Sequence, residues 1–209
     1  METLKEMPYR EKLDYVVGNI EFGKKITADF IDEHLGYDAK TKLQMKWQSG
    51  ITPIPEDASF EERYETAYKN WIWIGKTDFA FIREQMGEAG IEKFERVEVE
   101  AIKRKNASPA LYFLRFIRAV SPGTAFEMTA KQFAYQLQWI TPYKVERLDR
   151  DVLDIDIPSC KVVEQPDAQD LCNIACQRIY PTWAAEQFNV DMKYDPQGLS
   201  CRCTITPLN

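Results

Sequence analysis

The chain has 209 residues, 44% hydrophobic and 29% charged, a soluble globular profile long enough to bury a core without disulfides or metal as staples. Its 27 Lys and Arg against 33 Asp and Glu leave a net charge of −6, which argues against non-specific nucleic-acid binding and against anionic membranes, since both need a cationic surface. No run approaches about 18 apolar residues and the N-terminus carries no apolar signal region, so a cytoplasmic protein with reduced thiols is expected.

The first two thirds read as helix. Leu13, Val16, Val17 and Ile20 recur at helical spacing, with Gly23 and Gly36 placed to bend or end the segment. The stretch "ITPIPEDAS" (51–59) holds two prolines and must be a loop. Ser59 with Glu62 forms a capping box and opens a helix that ends at Gly87 or Gly90. Tyr64, Ala67, Tyr68, Trp71, Ile74 and Phe79 give that helix a wide apolar face. A third helical stretch, "IEKFERVEVEAIKRKN", follows, and its "IKRKN" end reads as a solvated basic terminus. A fourth helix begins at Ser108-Pro109 and stops at "SPGTA" (121–125).

The period then changes. "KQFAYQLQWITPY" alternates, with Phe133, Tyr135, Leu137 and Trp139 on one side, which predicts a strand. "DVLDIDIPSC" alternates again, and "TPYKVERLDR" between them is left as a turn or strand extension. A helix from about Pro166 to Phe188 is expected to bend at Pro181. "NVDMKY" and "LSCRCTITPL" are two strands across the turn "DPQG". The expectation is a single α+β domain over 1–209. It comprises a helical N-terminal extension (1–58), a helical part (59–125) and a cysteine-bearing β-β-α-β-β part (126–209). The sheet is antiparallel, forms mainly after residue 130, and packs on the helices.

All five cysteines fall in the last 50 residues or so. Cys172 and Cys176 are four apart on a helix and share a face, and Cys201 and Cys203 are two apart on a strand and share another. Cys160 ends the preceding strand and can join them. Three readings stay open. The thiols are core residues, or they hold a soft metal or iron–sulfur cluster, or Cys176 or Cys201 is a reactive thiol at a pocket with Tyr180 as proton donor or orienting group. The C-x3-C and C-x-C spacings match no standard metal knuckle. The lone histidine, His34, reads as a surface or cap residue, which weighs against a Cys–His dyad. Asp149, Asp151, Asp154 and Asp156 have the chemistry for a hard cation, but alternation makes the last two the wet face of a strand. Trp71, Trp73, Phe113, Trp139 and Trp183 are candidate walls for a small-molecule pocket. Trp71 and Trp73 diverge by about 200° on a helix, so one must reach a second surface, either a cavity or a homodimer interface.

The residues from Lys131 to Pro207 carry a resemblance. A strand "VLDIDIPSC" ends in cysteine, the helix "DLCNIACQRIYPTWAAEQFN" follows, and "GLSCRCTI" closes the chain. This order resembles the aminothiazoline-carboxylate hydrolase family and, more distantly, vinyl-reductase-like small-molecule-binding domains. The first 60 residues match neither. The nearer resemblance implies a hydrolase that opens a small sulfur- or nitrogen-containing ring; the more distant one implies a small hydrophobic ligand held without catalysis. Analogy at the level of fold does not fix function. A small-molecule enzyme, a ligand-binding module and a cysteine-ligated metal or iron–sulfur protein are therefore the three expectations carried forward.

Overall fold

A computed structural model describes residues 5–208. Helix α1 spans Tyr9–Leu35 and buries Leu13, Val16, Ile26, Phe30 and Ile31 along one stripe. Gly23 does not interrupt it; Gly36 does, with its N–H bonded to the carbonyl of Asp32 at 3.0 Å. Helix α2 (Tyr37–Gln48) buries Leu43 and Trp47. The proline loop follows as expected, and the Ser59 capping box is present in both directions: Ser59 N–H donates to Glu62 Oε2 at 3.0 Å and Glu62 N–H to Ser59 Oγ at 3.3 Å.

Helix α3 runs over Phe60–Lys105 with one interruption, at Gly87, where φ is 66° and ψ −166°. That left-handed geometry suits glycine because no Cβ meets the backbone. The chain reverses there. Phe79 and Phe94 stand edge to face with ring centroids 6.1 Å apart, whereas fifteen residues of straight helix would separate them by about 22 Å. The element is in effect a helical hairpin, with limbs 60–86 and 88–105, and α1 packs along it.

Helix α4 (Pro109–Val120) begins with proline in its first turn, touches little besides α5, and leaves Tyr112, Phe116 and Val120 exposed. Helix α5 (Pro122–Leu137) corrects the sequence reading, which made 131–143 a strand. Its buried stripe is Phe126, Ala130, Ala134 and Leu137, at helical spacing. Two of those four are alanines, strong helix formers that the alternating aromatics overshadow. The first strand instead falls in the segment readable as a turn or a strand extension.

Strands β1 (Lys144–Leu148), β2 (Leu153–Ile157), β3 (Val190–Gln197) and β4 (Ser200–Pro207) form one antiparallel sheet in the order β1-β2-β4-β3. Leu153, Ile155 and Ile157 of β2 point inward. Asp154 takes the outer face, accepting from Thr204 Oγ1 at 2.6 Å and Arg202 at 3.0 Å. Between β2 and β3 the expected helix changes its winding beside the proline, with right-handed helical backbone kept through Ile179 and Tyr180. Leu171–Ile179 winds as a π-helix and α6 (Tyr180–Phe188) is α-helical, with Pro181 in its first turn, where a missing N–H costs little. The architecture is α+β: N-terminal helices are followed by a C-terminal antiparallel sheet, which α5, the π-helix and α6 contact directly. Two apolar clusters result, one within the helices and one between the sheet, α5 and α6. Phe133, Ile140, Cys160, Tyr180 and Phe188 pack against both.

Candidate functional site

A cavity of about 490 Å³ opens along the seam between these two clusters. The hairpin α3 supplies Trp71, Ile74 and Phe79 from one limb and Phe94, Glu98 and Ile102 from the other. The sheet forms the floor with Ile155, Met192, Cys203 and Ile205, and α6 adds Tyr180 and Trp183. The rings brace one another: Trp71 meets Trp139 edge-on at 5.1 Å, and Phe133 meets Trp183 at 5.4 Å. Asp14 and Lys105, both exposed, border the cavity on the α1 side.

Two carboxyl groups face this apolar interior. Asp78 is buried and fully engaged, accepting from Thr27 Oγ1 at 3.0 Å and from Trp47 Nε1 at 2.7 Å. Burial outweighs those two bonds and holds its pKa well above the carboxylate range, and the nearby Glu98 adds to the rise. Glu98 has no such help. Its Oε2 is sealed from solvent and has no hydrogen-bond partner, and burial alone pushes the carboxyl up to about 7. The residue keeps some accessible surface because it lines the cavity, although it sits deep in the fold. One turn earlier, Glu95 is paired with Arg178.

Of the residues singled out from the sequence, Trp71, Trp139, Trp183 and Tyr180 line the cavity together. Trp73 does not. It turns to the other side of α3, donates from Nε1 to the carbonyl of Trp47 at 3.1 Å, and lies flat on Gly50. A Cβ on Gly50 would stand 2.0 Å from its ring, so only glycine fits beneath it. Phe113 is 61% exposed on α4 and walls nothing.

The cysteines are all free thiols. Cys203 lines the cavity floor, and Cys160, Cys172, Cys201 and Cys203 all lie near enough to Cys176 to oppose its ionisation. The metal expectation finds no support. Among the described residues no group of three or more His, Cys, Asp or Glu side chains is arranged to hold a metal ion. Nor do the thiols suit nucleophilic work. Burial pushes Cys201 and Cys203 up to about 12 and Cys176 well above the thiol range, so all three are protonated at neutral pH. Cys172, also raised by burial, accepts at 3.7 Å from Gln177, which stands five residues on, the π-helical spacing. His34 bonds the carbonyl of Phe30 in its own helix at 3.0 Å. Asp149 is held by Arg147 at 2.6 Å rather than left open for a cation.

Glu98, Asp78 and Thr27 were missed in the sequence, and a signal for them existed. Ile91, Phe94, Glu98 and Ile102 form a single inward stripe in which the third member is charged and half-buried, and Ile74, Asp78 and Ile82 repeat the pattern with all three buried. A carboxylate in the register of a core position marks either a satisfied network or a site. The chain matches no protein-family model, no curated protein and no solved structure.

Proposed function

We propose that this chain binds a small, largely apolar molecule in the cavity between its helices and its sheet. The observation that carries the reading is an interior volume of about 490 Å³, walled by aromatic rings and holding one unpaired carboxyl group. Ligand sites are typically concave, mostly apolar, about 300–1,000 Å³ in volume, and oriented by a few polar groups. The resemblance to small-molecule-binding domains points the same way. A cysteine-nucleophile hydrolase is the weaker reading, because the thiols are protonated and no histidine faces them.

The test uses N-phenyl-1-naphthylamine, a neutral apolar dye that brightens on leaving water. It should give saturable, one-site fluorescence. Ala175→Phe, which fills the cavity from the π-helical wall, should weaken binding about tenfold or more while the circular dichroism stays unchanged. A folded protein that gives no saturable signal, or an unaffected filled variant, would overturn the assignment.

A second reading has one observation in its favour. A carboxyl titrating near 7 is well placed for general acid–base chemistry. In that case Glu98, not a cysteine, is the base that activates water on a bound ring. Turnover of a thiazoline carboxylate that survives Glu98→Gln would rule this out.

A further inference from the structure

We infer that the ligand is an organic cation, an amine or amidinium on an apolar body, and that Glu98 is its counter-ion. The inference rests on the cavity being a ligand site and adds the sign of the ligand's charge. A carboxyl group this deep is costly to ionise unless a cation pairs with it. Among the described residues no cation pairs with Glu98. Lys103 is taken by Glu100 and Glu186, and Arg178 by Glu95. Lys105, the cation at the rim, sits 3.4 Å from Asn19 and 4.2 Å over the Phe22 ring instead. A cation carried by the ligand would supply the missing partner.

The other groups facing the cavity agree. From α1 come two acids: Glu11, which accepts from Tyr135 at 2.7 Å, and Asp14. From the first limb of α3 comes Asp78, whose oxygens are already engaged by Thr27 and Trp47. Tyr180, Tyr194 and Cys203, from α6, β3 and β4, are all raised by burial and uncharged at neutral pH. The interior is thus acidic or neutral on every wall except at Lys105, and it repels anions. The aromatic faces of Trp71, Trp139 and Trp183 add the surface that cations prefer. One open carboxylate, aromatic walls and no internal cation describe an ammonium or amidinium site. A carboxylate or phosphate ligand would meet repulsion from the acidic groups on these walls.

The experiment compares three probes of one shape, phenethylamine, phenethyl alcohol and 3-phenylpropionate, by isothermal titration at pH 8. The amine should bind about tenfold or more tighter than the alcohol, as expected for a charge-assisted bond, and the acid more weakly still. Glu98→Gln should erase the amine's advantage and leave the alcohol unchanged. A readout free of any variant accompanies it. With Glu98 titrating near 7, amine affinity in the native protein should fall about tenfold per pH unit below 7, while alcohol affinity stays flat. Equal binding of amine and alcohol, or preference for the acid, would overturn the charge assignment and leave the cavity reading standing. Failure of all three probes together with the dye would remove the cavity reading itself.

Discussion

Replacing Glu98 with glutamine should change how the stability of the empty protein depends on pH. The carboxyl goes from its ordinary value of 4.5 to about 7 on folding, with burial as the cause. A raised carboxyl pKa means that the folded state holds its proton more tightly than the unfolded chain. Between about 4.5 and 7 the native protein therefore binds more protons, and stability falls as pH rises through that window. At about 1.36 kcal/mol per pH unit, the full window is worth about 3 kcal/mol, of which about 2 to 3 lies between pH 5 and pH 8. Glutamine does not titrate. The difference in unfolding free energy, Glu98→Gln minus native, should become more favourable to the variant by that amount from pH 5 to pH 8. Urea unfolding at both pH values measures it, and contributions common to the two proteins cancel. Any constant cost of burying the amide also cancels. A difference that stays flat between pH 5 and pH 8 would mean that Glu98 is solvated or paired, and the ligand argument would lose its footing.

Two further outcomes can be checked. In a Cys160→Ser background the remaining thiols should resist Ellman's reagent at pH 8, because burial holds Cys176, Cys201 and Cys203 far above the pH of the assay; labelling at the rate of a free cysteine would contradict this. Ser59→Ala should lower stability by about 1 kcal/mol through loss of the cap, and a thermal melt that does not move would show that the helix start is secured elsewhere.

The helical N-terminal part was legible because its signals are local. Ser59 with Glu62 marked a helix start, Gly87 was one of two glycines marking its end, and Pro181 marked where the last helix changes its winding. The strand misread at 131–143 arose because Phe133, Tyr135 and Trp139 alternate while the true stripe runs through Ala130 and Ala134, whose weak hydrophobicity hides it. The Trp71–Trp73 divergence held, with Trp71 on the cavity and Trp73 on Gly50. What could not be read was which side each would take, since that depends on where α2, the π-helix and α6 each lie against α3. The cysteines drew attention by their clustering, but clustering in sequence says nothing of solvent, and burial decides thiol chemistry. Glu98 went unnoticed in a helix rich in glutamates, although only its register differs from theirs.

The reversal at Gly87 has a consequence for the order in which the site is assembled. Asp78 and Glu98 lie twenty residues apart in the chain yet face one cavity, and the Phe79–Phe94 contact between their limbs spans fifteen. Closing so short a loop demands little chain entropy. The floor is different in kind: Cys203 and Ile205 meet the same cavity from more than a hundred residues beyond Glu98. Contacts of such separation form late in most small domains. Asp78 and Glu98 are thus brought together by one helical hairpin, whereas the floor opposite them is complete only when the last strand is in place.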